Sequence, residues 1–284
     1  MTPTILFDLD DTLIVEEPAA AAAFRAAAGL ATADHPIDAA ELGRTARLRA
    51  RELWWAAPTH PYCLRVGISS WEGLWCRFEG DDPALAALRA WAPVYRREAW
   101  TRALADFGVD DDALADRLGD AFGVQRRRLH QTFPDAVRAL TALRRSNRLG
   151  LITNGASCLQ REKLAASGLA GHFDAIVVSG DLGTCKPDAR VFRRALGLLD
   201  ADPRRTTMVG DNLERDVDGA IAAGLDAIWL NRSAAPRPDD RPDLVEIPDL
   251  DALPGVLRRP TTPSARRPRS SRPTSRTGSS PAAG

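Results

Sequence analysis

Between residues 133 and 230 short apolar runs alternate with stretches whose apolar positions recur at helical spacing. That alternation is the pattern of a parallel sheet covered by helices on both faces. The runs predict strands over 148–153, 175–179, 206–210 and 227–230, with a further strand far upstream over 4–7. Between them, Pro134 and Asp135 open a helix that should turn Val137, Leu140 and Leu143 inward, and Asp188 opens another carrying Val191, Phe192, Ala195 and Leu196 on its inner face. The fold class is therefore α/β, a Rossmann-like core with a parallel sheet.

From about residue 15 to 132 the pattern changes. Long runs of Ala, Leu and Arg, such as DDDALADRLGDAFGVQRRRL, keep a helical period and show no alternation with strands, which predicts an all-helical insertion. Six of the seven tryptophans fall here (Trp54, Trp55, Trp71, Trp75, Trp91 and Trp100), and rings at helical spacing are expected to pack in a core. From residue 258 the chain turns to Pro, Ser, Thr and Arg without large apolar side chains, so it is expected to be a disordered tail. The organisation that follows is a core built from 1–14 and 133–257, an insertion over 15–132 and a tail over 258–284.

Composition narrows the function classes. No stretch approaches the ~18 consecutive apolar residues of a membrane span, and the opening MTPTILFDLDD has no basic start followed by a long apolar run, so a cytoplasmic protein with no membrane partner is expected. Cys63, Cys76, Cys158 and Cys185 are scattered with no CxxC pair and read as reduced thiols. Net charge is formally zero, but the tail holds seven arginines and no acid, leaving residues 1–257 net negative by seven. With an acidic body and no recognisable reading module, nucleic acid is not an expected partner. Only two lysines, Lys163 and Lys186, stand beside thirty-six arginines. Where the background supplies arginine for any general cationic need, a lysine is informative.

Four local patterns carry chemistry, each at or just beyond the carboxyl end of a predicted strand, where open parallel sheets bind ligands. In Phe7-Asp8-Leu9-Asp10-Asp11-Thr12-Leu13 an apolar strand runs into three acids, and alternation along an extended chain sends Asp8 and Asp10 to one side. Two carboxylates in one small space repel unless a cation joins them or one holds a proton, and magnesium favours such oxygen ligands. Leu151-Ile152-Thr153-Asn154-Gly155 delivers a hydroxyl and an amide suited to phosphate oxygens, with Gly155 permitting close backbone approach. Gly183-Thr184-Cys185-Lys186-Pro187-Asp188 sets a compact ammonium just before a helix. Finally, Met208-Val209-Gly210-Asp211-Asn212-Leu213-Glu214-Arg215-Asp216 places Asp211 at a strand end and Asp216 about one and a half turns along the following helix by the ~3.6-residue period, in reach of the metal through water or of Lys186.

DLDDT, the Thr-Asn-Gly strand end, Lys-Pro-Asp and GDNLERD together resemble the four motifs of the haloacid dehalogenase superfamily. The resemblance covers residues 1 to about 232 and implies that the insertion over 15–132 is a helical cap of the first type. Within the superfamily, Gln160-Arg161-Glu162-Lys163-Leu164, FDAIVVSGD and GDNLERDVDGAIAAGL are similar to the subgroup of N-acylneuraminate-9-phosphatases and pyrimidine-nucleotide phosphatases. The dehalogenase branch lacks a second acid two residues after the nucleophile, whereas this chain has Asp10.

What the resemblance implies is a phosphatase acting on a small phosphorylated metabolite, a sugar phosphate or a nucleotide. Asp8 would attack phosphorus and become transiently phosphorylated, while Asp10 would protonate the departing alkoxide and then deprotonate the attacking water. Asp10 needs a raised pKa for this, which neighbouring anions are expected to provide. Mg2+ would be held by Asp8, the Asp10 backbone carbonyl and Asp211, phosphate oxygens by Thr153 and Asn154, transition-state charge by Lys186, with Asp216 behind them. In the cap, Arg65, Ser69, Ser70 and Trp71 are candidates for testing the leaving group. A phosphomutase would use the same Asp8 and Asp10. A binding protein that had lost turnover would not be expected to keep every one of these positions filled.

Overall fold

The computed structural model describes residues 2–257, so the tail expected over 258–284 lies outside the described residues. The chain runs through β1 (Thr4–Phe7), α1 (Glu17–Ala28), α2 (Ala39–Ala56), α3 (His60–Val66), α4 (Ser70–Gly73), α5 (Pro83–Ala105), α6 (Asp112–Arg128), α7 (Ala136–Leu143) and β2 (Arg148–Thr153). There follow α8 (Ser157–Ser167), β3 (Ala175–Val178), α9 (Ser179–Leu182), α10 (Ala189–Leu199), β4 (Thr206–Gly210), α11 (Gly219–Ala222), β5 (Asp226–Leu230), β6 (Glu246–Ile247) and α12 (Leu253–Leu257). All neighbouring strands pair in parallel, in the order β3-β2-β1-β4-β5-β6. The five strands expected from sequence are present within a residue at each end. Ser179 opens α9 instead of closing β3, and β6 is too short to leave a periodic signal.

Alternation along the strands divides the core between the two faces of the sheet. Ile5, Phe7, Leu149, Leu151, Val209 and Ile228 pack on one face with Ala136, Leu140 and Leu143 of α7. Leu6, Ile152, Val177 and Met208 pack on the other with Val191, Phe192, Ala195 and Leu196 of α10. Asp188 caps α10 as expected, accepting from the Arg190 amide at 2.8 Å. Val137, expected inward, is exposed: the buried stripe of α7 is Ala136, Ala139, Leu140 and Leu143, and Val137 lies off it.

The regular elements between β1 and α7 are all helices, as the sequence predicts, and they have their own core. On α2, Leu42, Ala46, Ala50 and Trp54 recur every fourth residue and face Phe24, Tyr95, Trp100 and Phe122. Trp54, Trp75 and Trp100 are buried, and Trp91 stacks on Tyr95 at 4.6 Å. Trp55 departs from the expected packing: one residue after Trp54 it is rotated onto the outer face, 61% exposed, with the Arg51 guanidinium over its ring.

This helical insert seats on the first turn of α8, whose Ala156 and Leu159 belong to its apolar core. The Gly155 amide and the Ser179 hydroxyl both donate to the Val66 carbonyl at the end of α3. Cys76 of the insert and Cys158 of α8 touch across the junction, sulfur to sulfur at 3.7 Å, and all four cysteines are free thiols. Among the described residues no helix is long and apolar enough to cross a membrane.

Candidate active site

The connection order reverses between β1 and β4, which are hydrogen-bonded neighbours, and that reversal opens a crevice at their carboxyl ends. Phe7 pairs with Val209 and the Asp8 amide donates to the Val209 carbonyl at 3.0 Å, so Asp8 and Asp211 leave the sheet side by side. Carboxylate oxygens of Asp8, Asp211 and Asp216 all lie within 4.8 Å of one another. Asp216 gets there through a wide π-helical turn over Leu213–Asp218 in place of the expected α-helix. The turn folds its side chain back over Gly210, where any Cβ would collide with it, and its Oδ2 accepts from the Asn212 amide at 3.0 Å.

Lys186 serves this trio. Its buried ammonium donates to Asp8 Oδ1 at 2.5 Å, Asp216 Oδ1 at 2.6 Å and the Ile152 carbonyl at 2.9 Å, which uses all three N–H groups. Burial alone would lower its pKa, but Asp216 and Asp8 hold it above the ordinary lysine value. Burial raises the Asp8 carboxyl, opposed by Lys186 and reinforced by Asp216. Asp211 is pushed up to about 8, first by burial and then by Asp8 and Asp216. Three acids facing one lysine leave negative charge without a partner, and oxygen-only donors of this kind fit a hard divalent cation such as Mg2+. Thr12 supports Asp211, accepting from its amide at 3.1 Å, while the Trp229 indole donates to the Asp211 carbonyl at 2.8 Å.

Asp10 has its own partners: its carboxylate meets the other lysine, with Lys163 Nζ at 3.1 Å from both oxygens and Gln160 Nε2 at 3.3 Å. Lys163 has no solvent exposure and also reaches Glu72 Oε1 at 2.7 Å and Glu16 Oε2 at 3.3 Å. Burial would lower its pKa, yet Asp10, Glu16 and Glu72 keep it above the ordinary lysine value. The Asp10 carboxyl stands well above its usual range. Burial is the first cause; Lys163 opposes it, and Glu16, Glu72 and Asp8 each add to it. Arg126 closes the cluster, donating to Glu16 Oε2 at 2.6 Å beneath its stack on the Trp75 ring.

Thr153 and Asn154 are both at the site but committed to protein partners. The Thr153 hydroxyl donates to Gln160 Oε1 at 3.0 Å, and the Asn154 amide clamps the Lys186 backbone, accepting from its N–H at 2.9 Å and donating to its carbonyl at 3.1 Å. Gly155, at φ 140°, makes room for Gln160, whose Nε2 would lie 2.5 Å from an added Cβ. Of the insert candidates, Ser69 caps α4 and hydrogen-bonds Glu72, and the Trp71 indole donates to Glu16 at 3.3 Å. Ser70 is buried with its carbonyl bound by the Tyr95 hydroxyl, and Arg65 lies exposed over the Tyr62 ring. Sequence reasoning missed Glu16, Glu72, Gln160, Lys163 and Arg126. The rarity of lysine was the available signal for Lys163; nothing local marked the buried acids.

A haloacid dehalogenase-like hydrolase model matches residues 2–224. Phosphoserine phosphatase of Thermus thermophilus is 40% identical over 244 residues, covering 84% of this chain and 93% of that protein. The pyrimidine 5'-nucleotidase of Escherichia coli is 38% identical over 43% of this chain, and the N-acylneuraminate-9-phosphatase of Rattus norvegicus 39% over 49%. Among solved structures, a magnesium-bound HAD-hydrolase of Bacillus subtilis aligns with a TM-score of 0.61 at 24% identity over 90% of this chain and 99% of that one. With the motifs on adjacent strand ends and these matches spanning the sheet and its insert, the chain belongs to the haloacid dehalogenase-like hydrolase family and sides with its phosphatases.

Proposed function

We propose that the chain is a magnesium-dependent phosphomonoester hydrolase working through an aspartyl-phosphate on Asp8. The observation that carries this reading is the contact of Asp8 with Lys186 on one side and its convergence with Asp211 and Asp216 on the other. Asp8, Asp211 and the backbone carbonyl of Asp10 would hold Mg2+, with Asp216 fixing Lys186 behind them. Bound there, the ion supplies positive charge that offsets the repulsion between an anionic nucleophile and an anionic phosphate.

The residues then divide the work. Asp8 forms the bond to phosphorus as the ester oxygen departs, and Asp10 gives that oxygen its proton. In the second half Asp10 takes a proton from the water that attacks the acyl-phosphate, which regenerates Asp8 and frees phosphate. A carboxyl held above its usual range by burial suits the first role. Lys186 offsets charge on the transferring group, and Asn154 aims Lys186 by clamping its backbone. Thr153 supports the phosphate side of the site while fixing Gln160.

For substrate we propose a small phosphorylated metabolite, with phosphoserine first, because the phosphoserine phosphatase matches across sheet and insert together while the nucleotidase and acylneuraminate phosphatase match under half of this chain. A cytoplasmic setting agrees with four free thiols. The test is phosphate release from phosphoserine, sugar phosphates and nucleotides, with Mg2+ and with excess chelator. Release that requires Mg2+ and ranks phosphoserine highest is expected. Phosphate returned to a second position of a sugar, with none released, would support a mutase instead.

A further inference from the structure

Among the described residues, the Asp10 carboxylate accepts hydrogen bonds from two side chains only, Lys163 and Gln160. They lie three apart on α8, so they share a face. Each also donates to the same oxygen of Glu72, Lys163 at 2.7 Å and Gln160 at 2.8 Å. Glu72 belongs to the insert, is buried, and has its other oxygen tied to Ser69 by a capping box that fixes it to α4. Glu16 and Arg126 complete the cluster from the start and end of the insert.

We propose that Glu72 is a positioning residue that acts through Lys163 and Gln160 to hold the Asp10 carboxylate, so that seating the insert and aligning the proton donor are one event. The inference rests on the phosphatase reading and extends it. With the insert seated, Glu72 draws both donors toward one point and fixes where they meet Asp10. With Glu72 withdrawn, Lys163 and Gln160 keep Asp10 as a partner but lose the anchor that sets their direction. A substrate would then meet an aligned acid only while the insert is seated, which links leaving-group recognition to chemistry.

The test uses the dependence on leaving group, which a merely structural role leaves unchanged. An alkyl phosphate needs its departing oxygen protonated, whereas p-nitrophenyl phosphate releases a stable anion and scarcely does. kcat/KM reports the first irreversible step, formation of the phosphoenzyme. Glu72→Gln keeps the capping box, since glutamine serves at that position, but turns an amide toward Lys163 and Gln160. Gln160→Met removes two donors at nearly constant volume, together with the acceptor that the Thr153 hydroxyl uses, and leaves the ion pairs intact. Both variants, in the full chain with Mg2+, are expected to lose at least about tenfold more kcat/KM on the alkyl ester than on the aryl ester. Equal losses on the two esters, or no loss, in a variant with unchanged melting would overturn the proposal. Should Glu72→Gln melt early, Gln160→Met decides alone. A wild type that hydrolyses neither ester would sink the phosphatase reading itself, a result distinct from equal losses in an active enzyme.

Discussion

Asp8, Lys186, Asp211 and Asp216 were legible from sequence because Asp8 and Asp211 directly follow β1 and β4 and the other two lie in the segments that leave β3 and β4, and parallel strands bring their carboxyl ends together. The companions of Asp10 were not, since Glu16, Glu72, Lys163 and Arg126 lie on separate segments whose docking no local pattern encodes. Lys186→Arg tests how tight the first set is. Three acceptors between 2.5 and 2.9 Å surround an ammonium, and a planar guanidinium cannot serve all three. Phosphate release should fall by about 10²-fold or more, read as kcat/KM, with the fold intact by circular dichroism. Gly155→Ala probes the seat of Gln160: positive φ and the 2.5 Å approach of Gln160 Nε2 should cost about 1–3 kcal/mol in urea denaturation. A cost near zero would mean that Gln160 is free to move.

At the scale of elements, the strands read well because buried parallel strands are short continuous apolar runs, and α10 read well because its cap and stripe agree. Val137 and Trp55 were misjudged for one reason: apolar character says that a residue can be buried, while only the rotation of its helix says whether it is. The π-turn before α11 has no sequence signature of its own. Elements far apart in the chain are joined by Arg232, after β5, which grips Asp135 through two hydrogen bonds of 3.0 Å, reaches the Thr12 carbonyl at 2.9 Å and lies over the Phe133 ring. Arg232→Met leaves the buried Asp135 with only the Leu250 amide as a cross-chain donor and should lower stability by about 3–5 kcal/mol in urea. A loss under about 1 kcal/mol would show the pair to be a weak surface bridge.

For the whole molecule, the hydrophobic pattern told of a sheet and a helical insert and the motifs told where phosphate would bind, but how the insert meets the sheet was settled only by side chains that cross the junction. His130 lies near that junction with both ring nitrogens unpartnered, 5.6 Å from the Trp75 ring. Burial, then Arg126 and Lys163, lower its pKa below the ordinary 6.5. The unfolded chain therefore takes up that proton first, so stability is full above 6.5 and declines as pH falls through it. Urea midpoints should drop between pH 7 and pH 5 in wild type and drop less in His130→Gln; equal drops would contradict this. Metal belongs to the same scale. Mg2+ bound only by the native state should raise the melting temperature, and Asp211→Asn should abolish that rise.

The central claim is that Asp8 carries the phosphoryl group. Wild type mixed with a turned-over substrate and Mg2+, quenched in acid and digested, should yield phosphate on the peptide bearing Asp8, and none after chelation or in Asp8→Asn. Turnover with that peptide unmodified at every quench time, together with undiminished activity of Asp8→Asn, would contradict the account.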